Sequence, residues 1–185
     1  MTKPFVASFD VATSTGVCAG RPGDRHPYVT TWDLRTAGPS RPRRLAYLSF
    51  LCDQFFRENK IDVLRFEAPM PLAVMSKMGA TEETLLLLRG AIGVLESRAA
   101  IFNIADIGSF AVQDARKHLT GRRTFPRRAD GKSDAKRAVM DMARTLGVEV
   151  KNDNESDAYA GWSLTCALLN PRIAHLVTPL FQETA

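Results

Sequence analysis

Three acidic residues stand where acids are unexpected in a soluble fold. Asp10 closes the apolar run "VASFD", which leads into a Thr/Ser/Gly turn in "VASFDVATSTGVCAG". Glu67 ends a second apolar run, "IDVLRFEAP". Asp157 falls in the opening turn of the last amphipathic segment, "NESDAYAGWSLTCALL". Taken singly, these are a turn residue, a strand-end charge and a carboxylate favoured by a helix N-terminus. Together they suggest one site, because crowded carboxylates repel unless a cation lies between them. Hard Mg²⁺ or Mn²⁺ with oxygen ligands answers that repulsion. Two such ions ~3.5–4 Å apart would bind a phosphate, activate water and stabilise the leaving oxygen.

The elements that must position these acids follow from periodicity. Val6–Phe9, Gly16–Ala19 and "HPYVTTWDL" read as a meander of three antiparallel strands. "RRLAYLSFLCDQFFREN" is helical, and "IDVLRFEAP" is a strand. "TEETLLLLRGAIGVLESRAA" is a helix capped by Thr81, and "IFNIADI" is the next strand. "SFAVQDARKHLTG" is a helix stopped by Gly121. In "SDAKRAVMDMARTLG", Ala135, Ala138, Val139, Met142, Ala143 and Leu146 mark one helix face between Ser133 and Gly147 as caps. The last helix is expected to bury Ala158, Trp162, Cys166 and Leu169. This order predicts an α/β fold: a mixed five-stranded sheet flanked by helices. In such a sheet the first and fourth strands can be neighbours, which would bring Asp10 beside Glu67.

The chain has 185 residues, which predicts one domain spanning residues 1–185 with a sizeable core. No apolar run approaches ~20 residues, so no membrane span is expected, and "MTKPFVASFD" lacks a secretory signal. Cys18, Cys52 and Cys166 read as reduced core residues of a cytoplasmic protein. The net charge of +5 is unevenly spread. Arg116–Arg137 holds nine Lys/Arg against two Asp, and Arg35–Tyr47 holds four Arg. Positive charge beside aromatics suits a nucleic-acid backbone, although a solvated basic loop reads the same way. Arg116, Lys117, Arg122, Arg123, Arg127, Arg128, Lys132 and Lys136 are the candidate DNA contacts. The loop "APMPLAVMSKMGATEE" is unusually apolar. Met70, Met75 and Met78 there are candidates for a wedge into a DNA branch point, or for core or dimer packing.

These motifs carry a resemblance. "SFDVATSTG", "LRFEAP", "LLLLRGAIGVLESRA", "VQDARKHLTG…GKSDAKRAVMDMARTLG" and "DNESDAYAGW" resemble, in order, the motifs of RuvC-type Holliday-junction resolvases. The likeness is to the phage-like branch of that ribonuclease H-like family. It implies a homodimeric, metal-dependent endonuclease that cuts four-way DNA junctions by paired symmetric nicks in a bacterial or phage-infected cell. In the family's final motif a second metal-site residue usually lies three or four positions before the last acid. Here Asn154 occupies the nearer position. Residues four apart share a helix face, so Asp153 is better placed than Glu155 and is expected to join Asp10, Glu67 and Asp157, with Asn154 as helix cap; a helix that begins later would make Glu155 the ligand. Two alternatives remain: a ribonuclease H-like nuclease on other branched DNA or on an RNA–DNA hybrid, and a catalytically weak DNA-binding module. Kinases of the actin/sugar-kinase type also carry an Asp before a Gly/Thr/Ser turn. They need a second phosphate loop and a second domain, and this chain has no Walker-type loop. The helix Leu85–Leu95, with four consecutive leucines, is the candidate dimer surface.

Overall fold

The computed structural model describes residues 3–77, 79–126 and 134–171. Arg127, Arg128, Lys132, the proposed cap Ser133 and Met78 lie outside the described residues. The elements in chain order are β1 (Val6–Asp10), β2 (Ser14–Gly20), β3 (Tyr28–Asp33), α1 (Arg41–Glu58), β4 (Val63–Glu67), α2 (Leu72–Lys77), α3 (Glu82–Ile101), β5 (Asp106–Phe110), α4 (Val112–Thr120), α5 (Ala135–Thr145) and α6 (Asp153–Leu169). The sheet order is β3-β2-β1-β4-β5. β2 pairs antiparallel with β1 and β3, whereas β4 pairs parallel with β1 and β5. The expected mixed five-stranded sheet is therefore present, with β1 and β4 side by side.

Alternation along the strands divides the core in two. Ala7, Phe9, Leu64 and Phe66 pack with Leu48, Cys52, Phe55 and Leu95 of α1 and α3. Val6, Cys18 and Val63 face the other way and pack with Leu119, Val139 and Trp162 of α4, α5 and α6. The two-residue period puts Asp10 on the Val6 side of the sheet and Glu67 on the Val63 side, facing α6. All three cysteines are buried free thiols.

Several boundaries differ from those read in the sequence. The fifth strand begins later than "IFNIADI", because α3 runs on to Ile101 and the chain turns through Asn103, which has positive φ. Ile104 is buried at that turn, so its apolar character reflects packing and not strand alternation. Ser109 and Phe110 then belong to β5, and α4 starts only at Val112. The apolar loop after Glu67 contains the short helix α2. Thr81 caps α3 as expected, accepting from Thr84 N–H, and Gly121 ends α4 in the left-handed conformation. Leu169, expected in the core, is exposed, while Ala158, Trp162 and Cys166 are fully buried.

Helix α6 is the central element. Nearly all of Glu155–Ala167 is buried, so it is covered on every side and not only along one stripe. Two glycines allow its close approach. A Cβ on Gly16 would lie 2.0 Å from the Asn154 carbonyl oxygen, and one on Gly161 would lie 2.2 Å from the Phe110 ring. Gly16 pairs with Asp10 across β1 and β2. The same glycine that follows the opening turn thus seats the first turn of α6 beside Asp10.

Candidate metal-dependent nuclease site

The register pairs Phe9 with Phe66, so Asp10 and Glu67 are the next residues on adjacent parallel strands. Both strands end there. After Asp10 the chain turns through Ala12–Thr15, where the Thr15 hydroxyl donates to the Ala12 carbonyl at 2.7 Å. After Glu67 the Ala68 N–H donates to the Phe110 carbonyl at 2.8 Å. α6 brings in Asp157 from the face above, 5 % exposed. Three carboxylates from three separate elements converge, as the sequence reading expected for these three.

Their electrostatics show the crowding. Asp10 is pushed up to about 8, first by loss of solvent, then by the charges of Glu67 and Asp157. Glu67 is raised for the same leading reason, with Asp157 adding to it. Asp10 and Glu67 also share a side-chain hydrogen bond. A cation placed between these acids would relieve their mutual repulsion.

Arg116 supplies the nearest positive charge. Its Nε donates to Asp157 Oδ1 at 3.0 Å and its Nη2 to Oδ2 at 2.6 Å, a two-pronged pair. Desolvation works against the guanidinium charge, but Asp157, with help from Glu67 and Asp10, more than restores it. Arg116 therefore sits in the floor of the carboxylate site and not on an outer DNA-binding face. Nothing in its sequence context separates it from the neighbouring basic residues. The separating cue is that α4 packs on α6, with Ala115 and Leu119 buried beside it.

The other acids of the final motif go elsewhere. Asn152, not Asn154, caps α6, with its Oδ1 accepting from the Glu155 N–H at 3.0 Å. Asp153 is thereby the first residue of the helix, one turn before Asp157, and its carboxylate takes the ammonium of Lys136. That pairing holds Asp153 below the usual carboxylate range. Glu155, 3 % exposed, points away from Asp10. Its Oε1 accepts from the Thr31 hydroxyl at 2.9 Å and its Oε2 from the Lys151 N–H at 2.7 Å, so it ties α6 to β3.

The remaining candidate residues line the approach. Lys136 is exposed and acts electrostatically on both Asp10 and Glu67. Lys117 and Arg122 are exposed, and Arg123 pairs loosely with Asp114 at 3.1 Å. In the other basic cluster Arg35 pairs with Asp33, and Arg41 pairs with Glu83. Met70 is 40 % exposed, Met75 is half-buried, and both line a cavity next to Asp10 and Glu67.

The donor set of Asp10, Glu67 and Asp157 suits a hard divalent cation. Among the described residues, however, no three His, Cys, Asp or Glu side chains form a ready-made ion cage. The geometry explains this: Arg116 holds Asp157, while Asp10 and Glu67 close on each other. The set fits a metal once Asp157 is released from Arg116.

A five-stranded sheet ordered 3-2-1-4-5, with acids at the ends of its two central strands and a third on a covering helix, is the ribonuclease H-like arrangement. Solved structures narrow the class to the fold of RuvC-type resolvases. Thermus thermophilus RuvC in complex with Holliday-junction substrate matches with a TM-score of 0.66 at 14% identity, covering 92% of this chain and 96% of that one. A structure of Thermus thermophilus RuvC by itself gives 0.60 at 14% identity, covering 91% and 96% of the two chains. The yeast mitochondrial Holliday junction resolvase Ydc2 gives 0.59 at 13% identity, covering 93% and 82%. At these identities the likeness is one of fold. No protein-family model matches the chain, and no curated protein matches it in sequence.

Proposed function

We propose that this protein is a divalent-metal-dependent endonuclease that resolves four-way DNA junctions by paired symmetric nicks. The observation that carries the reading is the convergence of Asp10, Glu67 and Asp157 at one end of a sheet whose fold resembles that of solved Holliday-junction resolvases.

Asp10, Glu67 and Asp157 would hold Mg²⁺ or Mn²⁺, with two ions per site. When bound, the metal supplies a water of lowered pKa and neutralises charge on the scissile phosphate. Asp10, acted on by both other acids, would be the central residue of the three that hold the metal. With Asp157 among the residues that would hold the metal, the planar fork of Arg116 would meet the phosphate. Lys136 stands on the approach and steadies the incoming backbone, and Asp153 orients it. Lys117, Arg122 and Arg123 extend the positive surface along one arm.

Two cuts of like polarity call for two sites related by a dyad, so the active form is a homodimer. Leu87, Ala91 and Leu95 of α3 are committed to the core, which leaves Leu86, 45 % exposed, and Ile101, 61 % exposed, as outward apolar residues of the helix. Among the described residues no helix is long and apolar enough to cross a membrane.

A substrate panel tests the reading. The protein is incubated with end-labelled four-way junction, linear duplex and RNA–DNA hybrid, with Mg²⁺ and with chelator. Junction cleavage in Mg²⁺ alone is expected. Cleavage of the hybrid with the junction left intact would assign the fold to a different nuclease activity.

A further inference from the structure

At the end of the sheet away from the carboxylates lies a cavity of about 410 Å³. It opens between the turn that leads into β4 and the turn that leads into β5. Its floor is apolar. Ile61 and Ile104 are buried there, and the Phe56 and Phe102 rings meet edge to face with centroids 5.7 Å apart. Arg57, Lys60 and Asn103 stand exposed around it. The length of β4, roughly 15 Å, separates it from Glu67. We propose that this cavity docks an acidic peptide segment of a partner protein through one apolar anchor side chain. The inference is independent of the reading of the carboxylates.

Three features select this occupant. First, an apolar floor with a few polar groups around it is the usual form of a binding pocket. A leucine or phenylalanine anchor would cover Phe102, which the fold leaves half-exposed. Ile101, 61 % exposed, adjoins Phe102 and carries the apolar surface past the cavity, where a chain can follow it. It stands at the opposite end of α3 from Leu86, ~22 Å away. Second, the charge suits acids. Arg57 meets Asp53 only at 3.9 Å, because Arg98 already holds that acid. Lys60 has no partner among the described residues. Third, the remaining polar groups match a peptide backbone, which offers both N–H and C=O. The Asn103 amide can donate and accept. Asp62, in the wall, accepts from the Phe5 N–H through Oδ2 at 2.8 Å and keeps Oδ1 for a further donor. A phosphate backbone has no N–H to give and would be repelled by that carboxylate.

The test is fluorescence anisotropy with the whole chain and fluorescein-labelled dodecapeptides. One peptide places Phe-Leu between two Asp-Glu pairs, one replaces Phe-Leu by Ser-Ser, and one replaces the acids by lysines. The first is expected to bind about tenfold more tightly than either control. It should also shift the backbone amide signals of Lys60 and Asn103 in NMR spectra. Lys60→Glu reverses a charge at the rim, and Ala105→Trp fills the cavity from an exposed position on its wall. Each should weaken the first peptide about tenfold and leave the circular dichroism spectrum unchanged. Equal affinity for the three peptides, no binding of any, or full affinity in both variants would overturn the docking site. So would a single-stranded oligonucleotide that displaces the peptide and shifts the same amides, since the cavity would then be a nucleic-acid contact. None of these readouts uses cleavage, so the docking site and the nuclease reading stand or fall separately. If Ala105→Trp does not fold, Lys60→Glu and the amide shifts decide.

Discussion

Arg116 on α4 grips both carboxylate oxygens of Asp157 on α6, at 3.0 and 2.6 Å, with the two side chains 19 % and 6 % exposed. Each contact uses part of the partner's binding capacity, so Arg116 and a metal ion would compete for Asp157.

Arg116→Gln separates these roles. Removing one partner of a buried ion pair typically costs ~3–5 kcal/mol, so the metal-free variant should melt well below the parent. Divalent ions should then bind it more tightly, because they no longer compete with a guanidinium. The expected result is a larger rise in melting temperature on adding Mn²⁺, together with tighter binding by calorimetry. Weaker Mn²⁺ binding than the parent shows would mean that Arg116 orients Asp157 for metal and does not compete for it.

The acid pair makes stability pH-dependent. Asp10 binds its proton more tightly in the folded protein than in the unfolded chain, about 8 against 3.8. Between those values the folded state holds the extra proton, so metal-free stability falls as pH rises through that window. Asp10→Asn should flatten the slope and raise the melting temperature at pH 8.5 without metal. Added Mg²⁺ should do the same for the parent and release protons on binding. A metal-free melting temperature that climbs steadily from pH 5 to 8.5 would contradict the shared-proton geometry.

Glu155 and Asp153 should part, one in stability and the other in function. Glu155→Gln weakens a buried carboxylate bound by Thr31 and the Lys151 N–H. It should cost about 1–3 kcal/mol of stability, read by urea denaturation. Asp153→Asn loses only a surface pair with Lys136 and should leave stability within about 1 kcal/mol. Its effect should appear as reduced junction affinity or turnover. An Asp153→Asn protein that loses stability and keeps full turnover would refute the division.

Gly16→Ala tests how the helix is seated. The added methyl meets the Asn154 carbonyl, backbone that cannot rotate away. A cost of about 1–3 kcal/mol is expected, with metal affinity reduced because the first turn of α6 shifts. An unaffected metal affinity would show that Asp157 does not depend on this contact.

Asp10 and Glu67 are legible in the sequence because an acid ending an apolar strand run is conspicuous, and strand order follows from element order. Asp157 is legible through its motif. Arg116 is not, because in sequence it is one basic residue among many, and only the packing of α4 on α6 turns it inward. Gly16 reads as part of a turn, yet its importance comes from a helix that arrives from far along the chain. Asn152 displaced Asn154 as cap because α6 begins one turn's fraction earlier, a boundary decided by which side chain meets the free N–H groups. Met75 reads either as a wedge or as a packing residue, and it is half-buried in α2, lining the same cavity as Leu85, Leu88 and Ile92 of α3.

The most direct measurement is a paired assay of Asp10→Asn on a four-way junction, with cleavage followed in Mg²⁺ and affinity followed in Ca²⁺. The account places Asp10 at the metals and assigns DNA affinity to basic side chains. It therefore predicts cleavage lost by at least ~10³-fold with junction binding equal to or tighter than the parent. Near-normal nicking by Asp10→Asn would contradict it.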